Sequence, residues 1–384
     1  MLANKTSLSA IFHSHKHEIL LGLCWLVVQA VLFYQHGIQT DYEARKYIEE
    51  ADRIIDTGRV STPNFWLYSV QIFLIAAAKT LNTGYLSVVF IHWILNIIAT
   101  WALYKFASRW ANKLTGLVIA LLFIINLPMQ TFNSFLQTES LFFSFTILFS
   151  CYLLSLQRLA VRNFLAVLAF LILISFTRPT GLLWIPCTFL YLFFRFFRNF
   201  SVLIKIGITI VATIGFLFFL NAALGSGGEL DFMLPFRDER IICGVPTLSQ
   251  FVEIKTSDNP NSIGGLLYYV THNAEQFFRL AWLRTKAFFG LARDYYSKGH
   301  NLYLHVYFYI LYLLALIGIR GWVRMNKHLL IYCLSLIFLT WASVILTCDD
   351  WHNRFFLSVV PYIYILSIPA VKQITEKFSK NASK

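Results

Sequence analysis

The chain has 384 residues, of which 58% are apolar and only 13% charged, and its mean hydropathy is +0.62. A soluble domain is about half apolar and roughly a quarter charged. So few charges cannot coat the surfaces of two or three soluble domains, which excludes a soluble enzyme, a disordered chain and a disulfide scaffold. The net charge of +13 would suit a nucleic-acid partner, but the basic residues fall between apolar runs, as a polytopic membrane protein requires.

In chain order, a basic stretch (Met1–Glu18) precedes an apolar run from Ile19 to Tyr34. It has signal-peptide character without a small-residue cleavage site, and predicts an uncleaved first span. A helix needs about 20 apolar residues to cross a bilayer core. Candidate runs are 19–35, 65–81, 86–104, 114–128, 139–157, 163–177, 181–197, 203–221, 303–319, 329–347 and 355–371. The second decides the topology. If 65–81 lies along or dips into the outer leaflet, the segments 1–18, 105–113, 158–162, 195–205, 320–327 and 372–384 share one side. They carry 17 basic residues against two acids, Glu18 and Glu376. Basic loops stay cytoplasmic, and they also attract anionic lipid. The sequence therefore predicts a single domain over 1–384 with about ten transmembrane helices and both termini cytoplasmic. The polar outer material is a first loop, 36–85, two short loops around Gln130–Glu139 and Arg178–Gly181, a large loop, 222–302, and Thr347–Arg354. The cytoplasmic loops are too short for a nucleotide-binding domain, and there is no P-loop or dinucleotide fingerprint. No internal repeat points to a transporter of inverted halves.

In the first outer loop, Thr40 and Glu43 have capping-box spacing and predict a helix start there. Tyr47, Ile48, Ala51, Ile54 and Ile55 form one apolar face, and Gly58 is placed to end the helix. This is an amphipathic helix on the membrane surface, with Asp41 expected in its first turn. Asp41 reads either as a charge stabilising the helix start or as a general base. Glu139, with Thr138 as its cap, poses the same choice at the outer start of a nearly uncharged run. A carboxylate can take a proton only within hydrogen-bond reach, and a second one can position the acceptor or hold a divalent ion.

Arg178 breaks the apolar stretch 163–197 at Arg178-Pro179-Thr180-Gly181, so the stretch should fold as a hairpin with arms of about 22 Å. An ionised group at such depth either snorkels or serves a function. Cys348-Asp349-Asp350-Trp351-His352-Asn353-Arg354 packs charged groups between two spans. Arg354 begins the last helix, where a cation is unfavourable. Either a phosphate or an ion pair with Asp350 would resolve that. Phe277–Ala292 is amphipathic, with Arg279, Arg284 and Lys286 among aromatics, as in a surface helix touching headgroups. Cys24, Cys151, Cys187 and Cys333 lie in apolar runs and Cys243 and Cys348 in outer loops, where an oxidising side permits their pairing. No Cys/His spacing suggests zinc, and the run His13, His15 and His17 has no metal-site context.

Together these residues resemble the GT-C superfamily of integral-membrane glycosyltransferases, in particular the branch of protein O-mannosyltransferases and the lipid A aminoarabinose transferase. Asp41 with Tyr42–Leu81 looks like that family's acidic motif and juxtamembrane helices, and Pro63-Asn64-Phe65-Trp66 like its Pro-plus-aromatic stretch. Asn126-Leu127-Pro128 followed by Gln137-Thr138-Glu139 resembles its second-loop pattern. Arg178-Pro179-Thr180-Gly181, Tyr295-Tyr296-Ser297 with Asn301, and Arg354-Phe355 with Pro361 are similar to its later elements. The chain departs from the pattern in having one Asp41 in place of two adjacent acids and no lysine before Pro63, where Arg59 and Lys79 are the alternatives.

The resemblance implies an all-α, GT-C-like bundle in a bacterial inner or plasma membrane. It further implies inverting transfer of a sugar, on the extracytoplasmic face, from a polyprenyl-phosphate donor to a hydroxyl of a lipid, glycan or protein. In that scheme Asp41 is the base, Glu139 assists it, and Arg178 and Arg354 bind the donor phosphate, with Arg284 and Lys286 behind them. No cofactor is required, although a divalent cation is compatible with the carboxylates. One rival is an O-antigen or exopolysaccharide polymerase or ligase, led by arginine and histidine rather than a first-loop carboxylate. The other is a lipid-linked sugar flippase, which needs polar residues at mid-bilayer depth, where the spans look nearly bare.

Overall fold

The structure, a computed structural model, describes residues 15–196, 200–224, 233–244 and 253–382. The start of the predicted basic N-terminus (Lys5, His13), Arg198, Lys384 and parts of the large outer loop lie outside these residues. The described residues are mostly helical and contain no strand, only two isolated bridges. Six helices are long and apolar enough to cross a membrane: Lys16–His36, Tyr85–Trp110, Pro179–Phe196, Lys298–Met325, Lys327–Leu346 and Arg354–Phe378. The chain is an all-α, multi-pass membrane protein. Contacts divide it into two units: one formed by 1–185, 311–333 and 360–384, the other by 186–310 and 334–359.

In the first unit, α1 (Lys16–His36) is followed by α2 (Glu43–Thr57), a 3-10 segment (Pro63–Tyr68) and α3 (Ser69–Thr80). With 12 residues, α3 reaches only about 18 Å and is shorter than a bilayer core. Its Ile72 and Ile75 pack with Tyr47 and Ala51 of α2, the face that the apolar spacing of α2 anticipates. Gly58 ends α2 in the left-handed conformation, φ 67°, with its N–H on the Ile54 carbonyl. α4 (Tyr85–Trp110) leads to α5 (Lys113–Ile124), whose cap is the Asn112 side chain accepting from Thr115 N–H. The run 114–128 does not continue straight. It breaks at Asn126-Leu127-Pro128, and the segment from Leu127, with α6 (Leu127–Thr131), departs at 61°. Pro128 is tolerated there because the first helical residues have no intrahelical N–H partner to lose.

α7 (Glu139–Ser155) is buried on nearly every side, the pattern of a bundle-core helix. α8 (Val161–Thr177) exposes Val161, Leu165 and Ile172, as a lipid-facing helix does. α8 turns at Arg178 into a 3-10 segment (Pro179–Leu183). Gly181 is required here: a Cβ would meet the Ile174 carbonyl oxygen at 2.5 Å. Later helices also contribute to this unit. α14 (Lys298–Met325) and α16 (Arg354–Ala382) approach closely at Gly318 and Gly321, where a Cβ would meet Leu366 O at 1.9 Å and Pro369 Cβ at 2.4 Å. Small residues permit such backbone approach in membranes. Pro369 supplies no N–H to the Ile365 carbonyl one turn earlier, and Trp322 Nε1 donates to it instead at 2.9 Å, as the hydrocarbon region demands.

The second unit contains α9 (Trp184–Phe196) from Pro186 on and α10 (Val202–Leu224). After them come a short turn, α11 (Leu234–Arg237), the pair α12 (Ile263–His272) and α13 (Ala274–Gly290), and parts of α14, α15 (Lys327–Leu346) and α16. Met233, Phe236, Tyr269 and Leu280 form its small core. A disulfide joins Cys243 to Cys348, with Cα atoms 5.2 Å apart.

Candidate functional site

In the first unit, Gln39 forms a parallel bridge with Phe135: Gln39 N–H donates to Ser134 O and Leu136 N–H to Gln39 O, each at 3.0 Å. The bridge ties the segment after α1 to the segment before Glu139. It also corrects the expected helix start. With Gln39 held extended, the chain turns at 41–44, where Ala44 N–H meets Asp41 O at 3.2 Å, and α2 begins only at Glu43. Thr40 is not the cap, and Asp41 precedes the helix instead of occupying its first turn. The residue at the turn, Tyr42, has φ 56° and ψ −126°. That is glycine's territory, and such a conformation costs a non-glycine residue roughly 1–3 kcal/mol. Asp41 is exposed, and its carboxylate makes no side-chain hydrogen bond or ion pair among the described residues.

Glu139 and Arg178 meet as a buried ion pair, Arg178 Nη1 to Glu139 Oε1 at 2.6 Å, with side chains 1% and 7% exposed. A buried pair of this kind loses most of its solvation and stands only on good geometry. Gln137 Oε1 and Thr180 Oγ1, each two residues from a member of the pair, are buried without a hydrogen-bond partner among the described residues.

Uncharged polar residues form a buried network where α1 meets the segment before α7. Gln29 of α1 donates to Gln130 at 2.9 Å, Asn133 donates to both Gln29 and Gln130, and Ser140 donates to Asn133 at 2.6 Å. Trp25 Nε1 donates to Asn96 at 2.8 Å, and Asn126 to the Tyr364 hydroxyl at 2.8 Å. Every member of this network is uncharged and buried. A search for charges passes over them, yet their satisfied hydrogen bonds fix α1, α4, α6 and the start of α7 against one another.

In the second unit two aspartates are each closed by an arginine. Arg354 Nε and Nη2 hold Asp350 Oδ1 and Oδ2 at 2.8 and 2.6 Å, a two-point contact that offsets the unfavourable cation at the start of α16. Arg293 Nη2 meets Asp349 Oδ2 at 2.5 Å. Burial pushes the Asp349 carboxyl up to about 6 despite Arg293. Arg293 Nε and Asp349 Oδ1 remain buried without a hydrogen-bond partner among the described residues. Around them, Asn353 Nδ2 donates to Leu291 O, Asn301 pairs with the Arg293 backbone, and Tyr295 and Tyr296 hydroxyls both donate to Trp351 O. The loop is pinned by the disulfide and by the Ile242–Asp349 bridge, with Cys243 N–H on Asp349 O at 2.7 Å.

The other sequence candidates take lesser places. Arg284 is fully buried and donates to three backbone carbonyls, those of Arg240, Ile345 and Pro235, at 2.7–2.9 Å. Burial lowers its guanidinium to about 10, still cationic at neutral pH. It knits loops together, which corrects its reading as a headgroup-touching base. Lys286 is exposed, with its ammonium over the Trp282 ring at 5.8 Å. Lys79 pairs with Asp52, and Arg59 is exposed. Sequence reasoning missed Arg293, whose only sign was its place two residues before Tyr295-Tyr296. It also missed Glu139 and Arg178 as partners, since 39 residues separate them.

Among the described residues no group of three or more His, Cys, Asp and Glu side chains could hold a metal ion. Asp41, Glu139 and Arg178 thus belong to the first unit, and Arg284, Lys286, Arg293 and Arg354 to the second. No protein-family model and no characterised protein sequence matches the chain.

Proposed function

We propose that the protein is an integral-membrane glycosyltransferase that moves a sugar from a polyprenyl-phosphate donor to an acceptor hydroxyl on the extracytoplasmic face, with inversion. The observation that carries this reading is Asp41. It is an exposed, unneutralised carboxylate at the end of the first long apolar helix, held in a strained turn and bridged through Gln39 to the segment that leads into Glu139. Strain of this kind concentrates at functional sites, and a carboxylate without a cation beside it is able to accept a proton. Asp41 takes the proton of the acceptor hydroxyl as that oxygen attacks the anomeric carbon, and the lipid phosphate leaves. Glu139, paired with Arg178, contributes a fixed buried dipole and holds the two outer turns in register. Arg178, in the same unit as Asp41, is the cation proposed for the leaving phosphate.

The finer topology belongs to the same proposal. The six long helices, the bent pair 113–134 and the shorter apolar helices Glu139–Ser155, Val161–Thr177 and Val202–Gly215 coincide with ten spans. Both termini are then cytoplasmic, and α2 and α3 lie on the outer surface. The Cys243–Cys348 disulfide supports placing those two loops on an oxidising side. Accessibility labelling of single cysteines at positions 79 and 109 checks this: position 79 reacts from outside and 109 from inside, and reaction from one side overturns it.

A flippase needs polar residues along a path at mid-bilayer depth, whereas the uncharged network around Gln29 and Asn133 joins α1 to the outer Gln130–Glu139 segment. Its members are closed on one another rather than on a channel. Mass analysis of membranes from cells with and without the protein separates the readings. Transfer is supported by loss of a glycosylated product together with build-up of a polyprenyl-phosphate sugar. An unchanged product and donor overturn it.

A further inference from the structure

Outside the spans, in the second unit, Cys243, Gly244, Tyr295 and Trp351 line a depression of about 430 Å³. None of the four belongs to a helix able to cross the membrane. The wall is aromatic where a lipid-chain groove would be aliphatic, as in the cleft lined by Phe189, Ile204, Gly207, Ile208, Val211 and Ala212. Tyr295 is 56% exposed. Its hydroxyl and that of Tyr296 both donate to the Trp351 carbonyl, which anchors the far end of the Tyr295 ring, and the His352 and Trp351 ring centroids lie 3.7 Å apart. Behind them the disulfide, the Ile242–Asp349 bridge and the pairs Arg293–Asp349 and Arg354–Asp350 hold the loop. At Gly244, φ 77°, a Cβ would meet nothing within 4 Å among the described residues. The exposed Asp294 carboxylate stands next to Tyr295 in the chain.

Rigid aromatic planes beside polar groups match one ligand class well. A pyranose ring offers an apolar C–H face to an aromatic ring and a rim of hydroxyls to carboxylate, imidazole and backbone acceptors. Its burial removes apolar area from water while the hydroxyls stay paired. Pre-ordering by a disulfide and buried ion pairs spares the ordering cost that a mobile loop would incur. We propose that the Tyr295–Trp351 depression is a saccharide-binding site, stacking a sugar ring on Trp351 and Tyr295. It needs no transfer chemistry, so it stands or falls apart from the role of Asp41.

The test uses the full-length protein in lipid nanodiscs and saturation-transfer NMR with methyl α-D-mannopyranoside, methyl α-D-glucopyranoside, methyl β-D-galactopyranoside and N-acetylglucosamine. Sorbitol, which has the hydroxyls without a ring face, is the control. At least one ring sugar should give saturation transfer strongest at its C–H face, and sorbitol none. Trp351→Ala should weaken binding about tenfold or more, Trp351→Phe should retain most of it, and Trp282→Ala, on α13, should leave it unchanged. Intact-mass analysis showing the Cys243–Cys348 bond in each variant certifies the fold of this loop. Signal from no ring sugar, equal signal from sorbitol, or binding by a disulfide-intact Trp351→Ala protein at the wild-type level overturns the proposal. If Trp351→Ala does not fold, Tyr295→Phe and Tyr295→Ala replace it, with binding kept in the first and weakened in the second. Equal binding by both would overturn the proposal as well.

Discussion

In the first unit Asp41 stands exposed with no cation against it among the described residues, while in the second Asp349 and Asp350 are each closed by an arginine and sealed behind a disulfide. The contrast separates two uses of the same residue types. Asp350, held at two points by Arg354, is neutralised and can do little except fix the loop that carries Trp351. Asp41 has the opposite set of properties: exposure, no partner, and a strained neighbour. Glu139 falls between them, a candidate base that Arg178 has already claimed. Charge pairing therefore builds the frame, and under the proposed function the exposed Asp41 is the carboxylate that takes the proton.

Stability measurements test this contrast. Arg178→Ala leaves Glu139 charged and buried, and removing one partner of such a pair costs about 3–5 kcal/mol. The melting temperature in detergent should fall markedly, and the double variant Glu139→Leu with Arg178→Met should recover much of the loss. Equal melting of wild type and Arg178→Ala would mean that the pair frames nothing. Paired Cys243→Ser and Cys348→Ser substitutions release a cross-link between positions 105 residues apart. The expected loss is about 2–4 kcal/mol, read as a lower denaturant midpoint. No shift would place the rigidity of the second unit elsewhere.

Asp349 gives a smaller, pH-dependent effect. Its carboxyl titrates near 6 when folded, against 3.8 for the free group, so the folded state holds the proton more tightly between those values. Stability from this group is full below about pH 4 and is lost as pH rises through 6, on the order of 3 kcal/mol in all. Asp349→Asn should flatten the wild-type pH–stability curve between pH 4 and 6. Parallel curves would show that the burial of Asp349 carries no such cost. The smallest effect belongs to Tyr42→Gly. Glycine adopts φ 56° without strain, and it also gains freedom in the unfolded chain, so a net stabilisation of about 1 kcal/mol is expected. Destabilisation would mean that contacts of the Tyr42 ring outweigh its backbone strain.

Much of the architecture was legible because bilayer thickness makes apolar length a direct signal. The runs 86–104, 303–319 and 329–347 all lie within long helices, and the break at Arg178–Gly181 is where the helix stops. Gly58 could be read as a helix end because only a residue tolerant of left-handed φ fits there. The run 114–128 reads as one apolar stretch by composition, and the geometry at Leu127-Pro128 reveals its bend. The expected cap at Thr40 failed because a long-range bridge from Gln39 to Phe135 overrode local spacing. For the site, residue types were legible but partners were not. Glu139 with Arg178 and Arg293 with Asp349 join segments 39 and 56 residues apart, and no local pattern encodes such pairing. The polar network through Gln29, Gln130 and Asn133 was missed because uncharged amides barely lower the hydropathy of a span.

The most direct measurement of the central claim is the lipid and glycan content of membranes carrying Asp41→Asn at the wild-type protein level. The substitution keeps the size and hydrogen bonding of an exposed side chain, so folding and the melting temperature should not change. Loss of a general base lowers the rate by about 10²- to 10⁴-fold. Mass spectrometry should then find the glycosylated product lost and the polyprenyl-phosphate sugar accumulated, as in cells without the protein. A folded Asp41→Asn protein that leaves product and donor at wild-type levels would contradict the account.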